Sequence, residues 1–389
     1  MKNLRYPLTH DSWDKKEIIA INKVIKSNKF TMGENVKKFE RKFSDFIGSK
    51  YSVMVNSGSS ANLLSFASLI YSKKYNFKKN DEIIVPALSW STSYSPIHQM
   101  GFKMKIVDID QETLNYDLDQ LKKAVTKNTK AILVVNVLGN PNNFRAINKI
   151  IKNKKIVIIE DNCESLGSQF GNKFLGTFGE LGTFSFFYSH HISTIEGGMI
   201  VTNNRELYHI ILSLRAHGWT RDLPNKNEIY EKKTQNFDEL FNFILPGYNL
   251  RSTEINASVG LEQLKKLNKF IIQRRKNADI FKKLFQNHKY IKIQKEIGKS
   301  SWFGFSLIVK KNSTINRNTI IKLLTKNNIE VRPIIAGNIV THQFAKYMNY
   351  KIYNKLSNAD YLNKNGFFVG NSHKNLKYEL KKLRKILDF

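Results

Sequence analysis

Along the first two thirds of the chain, short β-branched runs alternate with helical patterns, which predicts a mainly parallel sheet flanked by helices. The predicted strands are Tyr51–Val55, Glu82–Pro86, Lys105–Asp108, Ala131–Asn136 and Lys155–Glu160, followed by Thr183–Phe187 and Met199–Thr202. The first five are apolar throughout rather than alternating, as strands buried on both faces must be. Ser59–Ser72 and Asn143–Ile151 read as helices between them. A longer helical pattern from Thr253 to Phe285 carries Leu261, Leu264, Leu267 and Ile271 on one face and predicts a bridge into a smaller domain. Strand-like Phe303–Val309, helical Arg317–Lys326 and a basic amphipathic end follow. The expected division is a large domain over 1–253 and a bridging helix with a smaller C-terminal α+β domain over 254–389. No internal repeat is visible.

Composition narrows the class. With 41% hydrophobic and 12% aromatic residues among 389, and only 7 Pro and 20 Gly, there is ample side chain for a large core and no ground for disorder. The net charge of +31 raises nucleic acid or an anionic membrane as a partner. Yet 51 of the 63 basic residues are Lys, scattered along the whole length among many Asn and Ile. That is the mark of an A/T-rich coding bias, and neither partner is expected. No apolar run approaches the ~18 residues of a membrane span, and the N-terminus has no apolar signal segment, so a cytoplasmic protein is expected. A single cysteine, Cys163, excludes an internal disulfide, a cysteine zinc site and a four-cysteine iron–sulfur cluster; no metal is expected.

Candidate chemistry lies at the C-terminal ends of the predicted strands, where open α/β sheets place their ligands. VMVNSGSS, Val53 to Ser60, is a strand, a Gly-Ser turn and a helix start whose free N–H groups suit a phosphate. In isolation it is equally an ordinary serine cap. Asp161 follows a buried strand, which fits a carboxylate facing a cation such as a protonated pyridine nitrogen, or a cap on the next helix.

With these two segments, TFSFFYSHHISTIEGG (Thr183 to Gly198) resembles the pyridoxal-phosphate (PLP) sugar aminotransferases of aspartate-aminotransferase fold (fold type I), the DegT/DnrJ/EryC/StrS group. That group shows SG(S/T)xA, then EDxxQ, then a Ser-rich strand leading to a lysine and a GEGG-like turn. All occur here in order, and PALSW (Pro86–Trp90) and LPGYNLR (Leu245–Arg251) match further blocks. Two positions depart from the pattern. Where the group has its Schiff-base lysine, six residues before Glu196, stands His190, and Glu164 replaces the group's Gln. Both changes are those of a branch of PLP-dependent sugar 3-dehydratases. One cysteine separates the chain from the iron–sulfur member that acts on a CDP-sugar. NCESLG, SHHISTIEGG, RAHGWTRDLP and SSWFGFS point instead to the member acting on GDP-4-keto-6-deoxy-D-mannose in the colitose (O-antigen) pathway.

The resemblance implies the roles that follow. Gly58, Ser59 and Ser185 bind the cofactor phosphate, with Asn249 reaching it from the partner of a homodimer. Trp90 stacks on the pyridine ring, or else is a core anchor. Asp161 pairs with the ring nitrogen, and Glu164 helps order the pocket. His190 is the catalytic base, His217 a second active-site histidine, and His191 structural. L-Glutamate converts PLP to pyridoxamine phosphate, which then drives loss of the C3 hydroxyl. The products are the 4-keto-3,6-dideoxy sugar, 2-oxoglutarate and ammonia. Two other readings stand beside it: an aminotransferase working without its lysine, and an inactive member that binds or regulates. Retention of Asp161, the phosphate serines and Glu196–Gly198 weighs against the last.

Overall fold

The apolar runs become strands in the computed structural model, which describes residues 6–152, 154–232 and 237–388. The large sheet takes β1 (Tyr51–Val55), β2 (Glu82–Pro86), β3 (Lys103–Val107), β4 (Thr129–Val135) and β5 (Val157–Asp161). After a small hairpin, β6 (Gln169–Phe170) and β7 (Lys173–Phe174), it takes β8 (Leu181–Ser185) and β9 (Gly198–Thr202). Residues farther on form β10 (Ile291–Ile293), β11 (Gly304–Val309), β12 (Val331–Arg332), β13 (Tyr350–Ile352) and β14 (Gly366–Gly370). Eight strands run in the order β1-β9-β8-β5-β4-β2-β3-β13. Only β9 runs against its neighbours β1 and β8; the other pairings are parallel.

Helices cover both faces, so the central strands are buried on both sides and read as unbroken apolar runs. The N-terminal helices are α1 (Lys15–Ser27), α2 (Glu34–Ile47) and α3 (Gly58–Tyr71). Then come α4 (Ser91–Gln99), α5 (Leu118–Ala124), α6 (Phe144–Ile151) and α7 (Arg205–Arg215). The bridging helix α8 spans Glu254–Phe285; α9 (Arg317–Lys326), α10 (Ser357–Asn365) and α11 (Lys377–Leu387) complete the chain.

The predicted strands are present with ends shifted by up to two residues, and the predicted helices with ends shifted by at most one. Helix α8 starts where Thr253 caps it by accepting from the Asn256 N–H. Its first residue, Glu254, accepts from the N–H groups of Gly33, Asn35 and Val36 at 2.8–2.9 Å, which ties the start of α2 to the start of α8. The other end of α8 packs Phe281 and Phe285 against Phe305, Leu307 and Val369 of a four-stranded sheet, β10-β11-β14-β12. The chain crosses the expected boundary at 253 in both directions. Tyr6 bridges Ile329 and donates to the Gly370 carbonyl at 2.7 Å, while β13 adds the edge strand of the large sheet.

Candidate active site

Side chains alternate faces along a strand, and the last two residues of β5 use that alternation to separate two carboxylates. Glu160 turns into protein and accepts three backbone N–H bonds, from Gly176, Phe178 and Gly179, at 2.6–2.7 Å. Burial nonetheless pushes it up to about 7. Asp161 points the other way, 5% exposed. It accepts from Asn62 Nδ2 at 2.9 Å, Ser93 Oγ at 2.7 Å and the Cys163 N–H at 3.1 Å. Three hydrogen bonds fix this carboxylate, and no ion pair among the described residues neutralises it.

The phosphate-type cradle sits beside it. Ser57 caps α3 by accepting from the Ser60 N–H at 3.1 Å, which presents the N–H groups of the first turn outward. Gly58 begins the helix because nothing larger fits. A Cβ there would lie 2.6 Å from Ser185 Cβ and 2.9 Å from Cys163 Sγ. The glycine thus brings the ends of β1, β5 and β8 to one point. Ser59 donates to Thr92 Oγ1 at 2.9 Å, linking the cradle to α4. Trp90, the residue before α4, is 58% exposed at the rim; it is not a core anchor.

His190 stands just past β8. Its N–H donates to the Phe187 carbonyl at 2.9 Å in the turn after β8. Its ring stands edge-on to Phe187 (6.0 Å) and Phe303 (5.3 Å). Nδ1 is enclosed with no hydrogen-bond partner. Burial, reinforced by the positive charge of Arg274, pushes the imidazole down to about 4. The ring is therefore neutral at physiological pH, the form in which it accepts a proton. His191 turns inward, 2% exposed, against the same Phe303 ring at 5.9 Å. Glu164 accepts from the Leu138 N–H at 2.9 Å, and burial, opposed by that bond and aided by the Asp161 charge, pushes its carboxyl up to about 7. The Leu138 carbonyl in turn accepts from Phe303 N–H at 3.0 Å, so Glu164 and His190 are tied to the same segment just before β11.

His217 and Asn249 lie together on a different edge. The Ala216 and Asn249 backbones bridge, and His217 N–H donates to the Tyr248 carbonyl at 2.7 Å. The His217 ring rests on Trp219 (4.9 Å), and Asn249, exposed, accepts from Arg251 Nε at 3.0 Å. The segment abuts the end of β1, where Asn56 N–H donates to the Leu250 carbonyl. Among the described residues, no hydrogen bond or ring contact joins His217 or Asn249 to His190, Asp161 or Glu164. Sequence patterning passes over Asn62 and Ser93, which hold Asp161, and Phe303, which walls both histidines. Asn62 reads as helix interior and Ser93 falls in a stretch with no predicted element; Phe303 lies more than a hundred residues from His190, with no local signal to link them.

The donor set suits a cofactor with a phosphate at one end and a protonated pyridine nitrogen at the other. A helix N-terminus with two serines meets the first requirement, a buried carboxylate without a cation meets the second, and an exposed indole beside them offers a flat face.

Comparison with known proteins agrees. The profile of the DegT/DnrJ/EryC1/StrS aminotransferase family matches residues 11–379. A GDP-4-keto-6-deoxy-D-mannose 3-dehydratase of Yersinia pseudotuberculosis is 53% identical over 386 residues, covering 99% of this chain and 98% of the relative. The solved structure of the E. coli GDP-4-keto-6-deoxy-D-mannose-3-dehydratase with bound hydrated PLP superposes with a TM-score of 0.98 at 54% identity, covering 99% of this chain and 100% of that one. A structure of a GDP-4-keto-6-deoxymannose-3-dehydratase with a trapped PLP-glutamate geminal diamine gives the same TM-score, identity and coverage.

Proposed function

This chain belongs to the DegT/DnrJ/EryC1/StrS aminotransferase family, and from that premise we propose that it is a PLP-dependent dehydratase removing the C3 hydroxyl of GDP-4-keto-6-deoxy-D-mannose. The observation that carries the reading is His190: a neutral imidazole, unable to form a stable imine, where the family's aminotransferases have a lysine. The net reaction balances without a further reductant. L-Glutamate supplies the two electrons and leaves as 2-oxoglutarate and ammonia, and the sugar loses its C3 oxygen to give GDP-4-keto-3,6-dideoxymannose.

PLP, when bound, supplies an electron sink and a carrier for the amino group. Gly58, Ser59 and Ser185 would hold its phosphate, Trp90 would cover the ring face, and Asp161 would keep the ring nitrogen protonated. Glu164, protonated in part near neutrality, would donate to the polar edge of the ring. The His190 imidazole accepts the proton released in each half of the reaction, and the imidazolium so formed donates to the departing C3 oxygen. Imidazole forms no stable imine, so nothing at position 190 recaptures the cofactor, and elimination prevails over amino transfer.

Asn249 and His217 are read as completing the site of a second copy, in a homodimer. Both stand on an outward edge beside the exposed rings of Phe241 and Phe243. The reading extends to colitose and O-antigen assembly in the cytoplasm; no helix among the described residues is long and apolar enough to cross a membrane. Incubating the holoenzyme with glutamate and GDP-4-keto-6-deoxymannose tests it: ammonia and a deoxy sugar are expected, whereas an amino sugar would return the chain to the aminotransferases.

A further inference from the structure

Behind His190 and its neighbour His191 lies a charge that the reaction does not explain. Arg274, in the middle of α8, is 2% exposed. Its Nη1 donates to three main-chain carbonyls: Trp302 at 3.3 Å, Phe303 at 3.2 Å and Asn371 at 3.0 Å. Its Nε is buried with no partner, and no carboxylate pairs with it among the described residues. A buried guanidinium without a counter-ion is costly, because carbonyl dipoles replace only part of the hydration it loses. A residue of that kind, placed where a Met or Leu would fill the space, calls for a reason beyond packing.

We infer that Arg274 is a positioning residue for His190, setting the orientation of the base through Phe303 and its charge state through an uncompensated positive field. The first effect is geometric. The carbonyl of Phe303 is one of the three that Arg274 holds, and the ring of Phe303 lies 5.3 Å from His190 and 5.9 Å from His191. Asn371 completes the clamp, donating to the Arg274 carbonyl at 3.2 Å and the Trp302 carbonyl at 2.8 Å. Trp302 itself sits at φ 49°, in the left-handed region, so this clamp holds a bend that its backbone would not choose. The second effect is electrostatic. Around the histidine pair the charged groups are Arg274 and Arg275 from α8; Arg274 acts on both rings and Arg275 on His191. His191 adds to the repulsion only if it is itself charged. Neither Asp161, at the end of β5, nor Glu164, just past it, acts on either ring. A fixed cation behind the ring returns the base to its neutral form after each proton transfer and makes the imidazolium a stronger acid toward the leaving hydroxyl.

The inference rests on His190 being the base, so its test includes a readout that survives failure of the proposed reaction. Histidine-labelled protein followed by nitrogen NMR reports the His190 ionisation directly, with or without cofactor. In the wild type the ring should remain neutral down to pH 5; an imidazolium already present at pH 6.5 would overturn the inference. Arg274→Gln keeps donors for the carbonyls and removes the charge. It should move the His190 titration, and with it the acid limb of activity, upward by about one unit. Arg274→Lys keeps the charge and loses the planar fork, so the limb should stay in place while kcat falls about tenfold through misorientation, with KM for the sugar little changed. An unmoved titration in folded Arg274→Gln, or an equal shift in both variants, would assign Arg274 to packing alone. Should Arg274→Gln not fold, the wild-type titration and Arg274→Lys still decide.

Discussion

The wall around His190 and the edge carrying His217 and Asn249 are built in opposite ways. The first is closed. Phe187 and Phe303 enclose the ring, Arg274 backs it, and the Phe303 N–H bonds the Leu138 carbonyl next to Glu164. The second is open: Asn249 is exposed and pairs within its own loop. A group that must change its proton in every turnover needs a fixed electrostatic setting, which packing within one chain supplies. A group that completes a neighbour's site must project from the surface, and it gains its setting on assembly.

Breaking the closed side should cost most. His190→Asn keeps roughly the size and loses the proton acceptor, so both half-reactions should fall about 10²- to 10⁴-fold while the bound cofactor's absorbance stays as in the wild type. Rates near wild type would move the base elsewhere, with His217 the first alternative.

Glu164 sharpens the comparison through stability. Its folded-state ionisation is raised to about 7 from the 4.5 of a free carboxyl. A raised carboxyl favours folding while protonated, so its advantage is complete below the unfolded value and is lost as pH rises from about 4.5 to about 7. Glu164→Gln, permanently neutral, should therefore stabilise the cofactor-free protein at pH 8 by about 2–3 kcal/mol, with the difference closing by pH 5. Denaturant melts at the two pH values measure it; an equal effect at both would mean the carboxyl is not held protonated.

The smallest effect is expected on the open side. Asn249→Ala should weaken cofactor binding about tenfold, the scale of one lost charge-assisted hydrogen bond. At a cofactor concentration too low to fill Asn249→Ala sites, mixing Asn249→Ala chains with His190→Ala chains should raise activity above that of either alone, because some mixed dimers then hold one intact site. Confirmed mixed dimers with no gain would place the whole site within a single chain.

Local properties of the chain announce much of the fold and part of the site. The strands at β1, β2 and β5 are continuous apolar runs, and helix α8 declares its start at Thr253, since burial on both faces and a side-chain cap both leave a mark in the neighbouring residues. The site residues that follow these strands, Gly58, Asp161 and Ser185, inherit their places from strand ends and are legible from order and spacing. What is not legible arrives from a distance. Phe303 and Arg274 reach His190 only because α8 and β11 fold back over the turn after β8, and nothing in either neighbourhood points to a histidine. Asn62 and Ser93 are hidden for another reason: a polar residue inside a helix is ordinary until a buried carboxylate is found opposite it. The short helix α4, with Pro96 inside it, likewise breaks the local rule that would announce it.

A histidine base leaves the cofactor unattached to the protein, and one measurement addresses that directly. Holoenzyme treated with borohydride and analysed by mass spectrometry should carry no pyridoxyl group on any residue, whereas His190→Lys, treated identically, should carry one at position 190. A pyridoxyl adduct on a lysine of the wild-type chain would contradict this, because the cofactor would then be held as in an ordinary aminotransferase and His190 would have no reason to replace the family's amine.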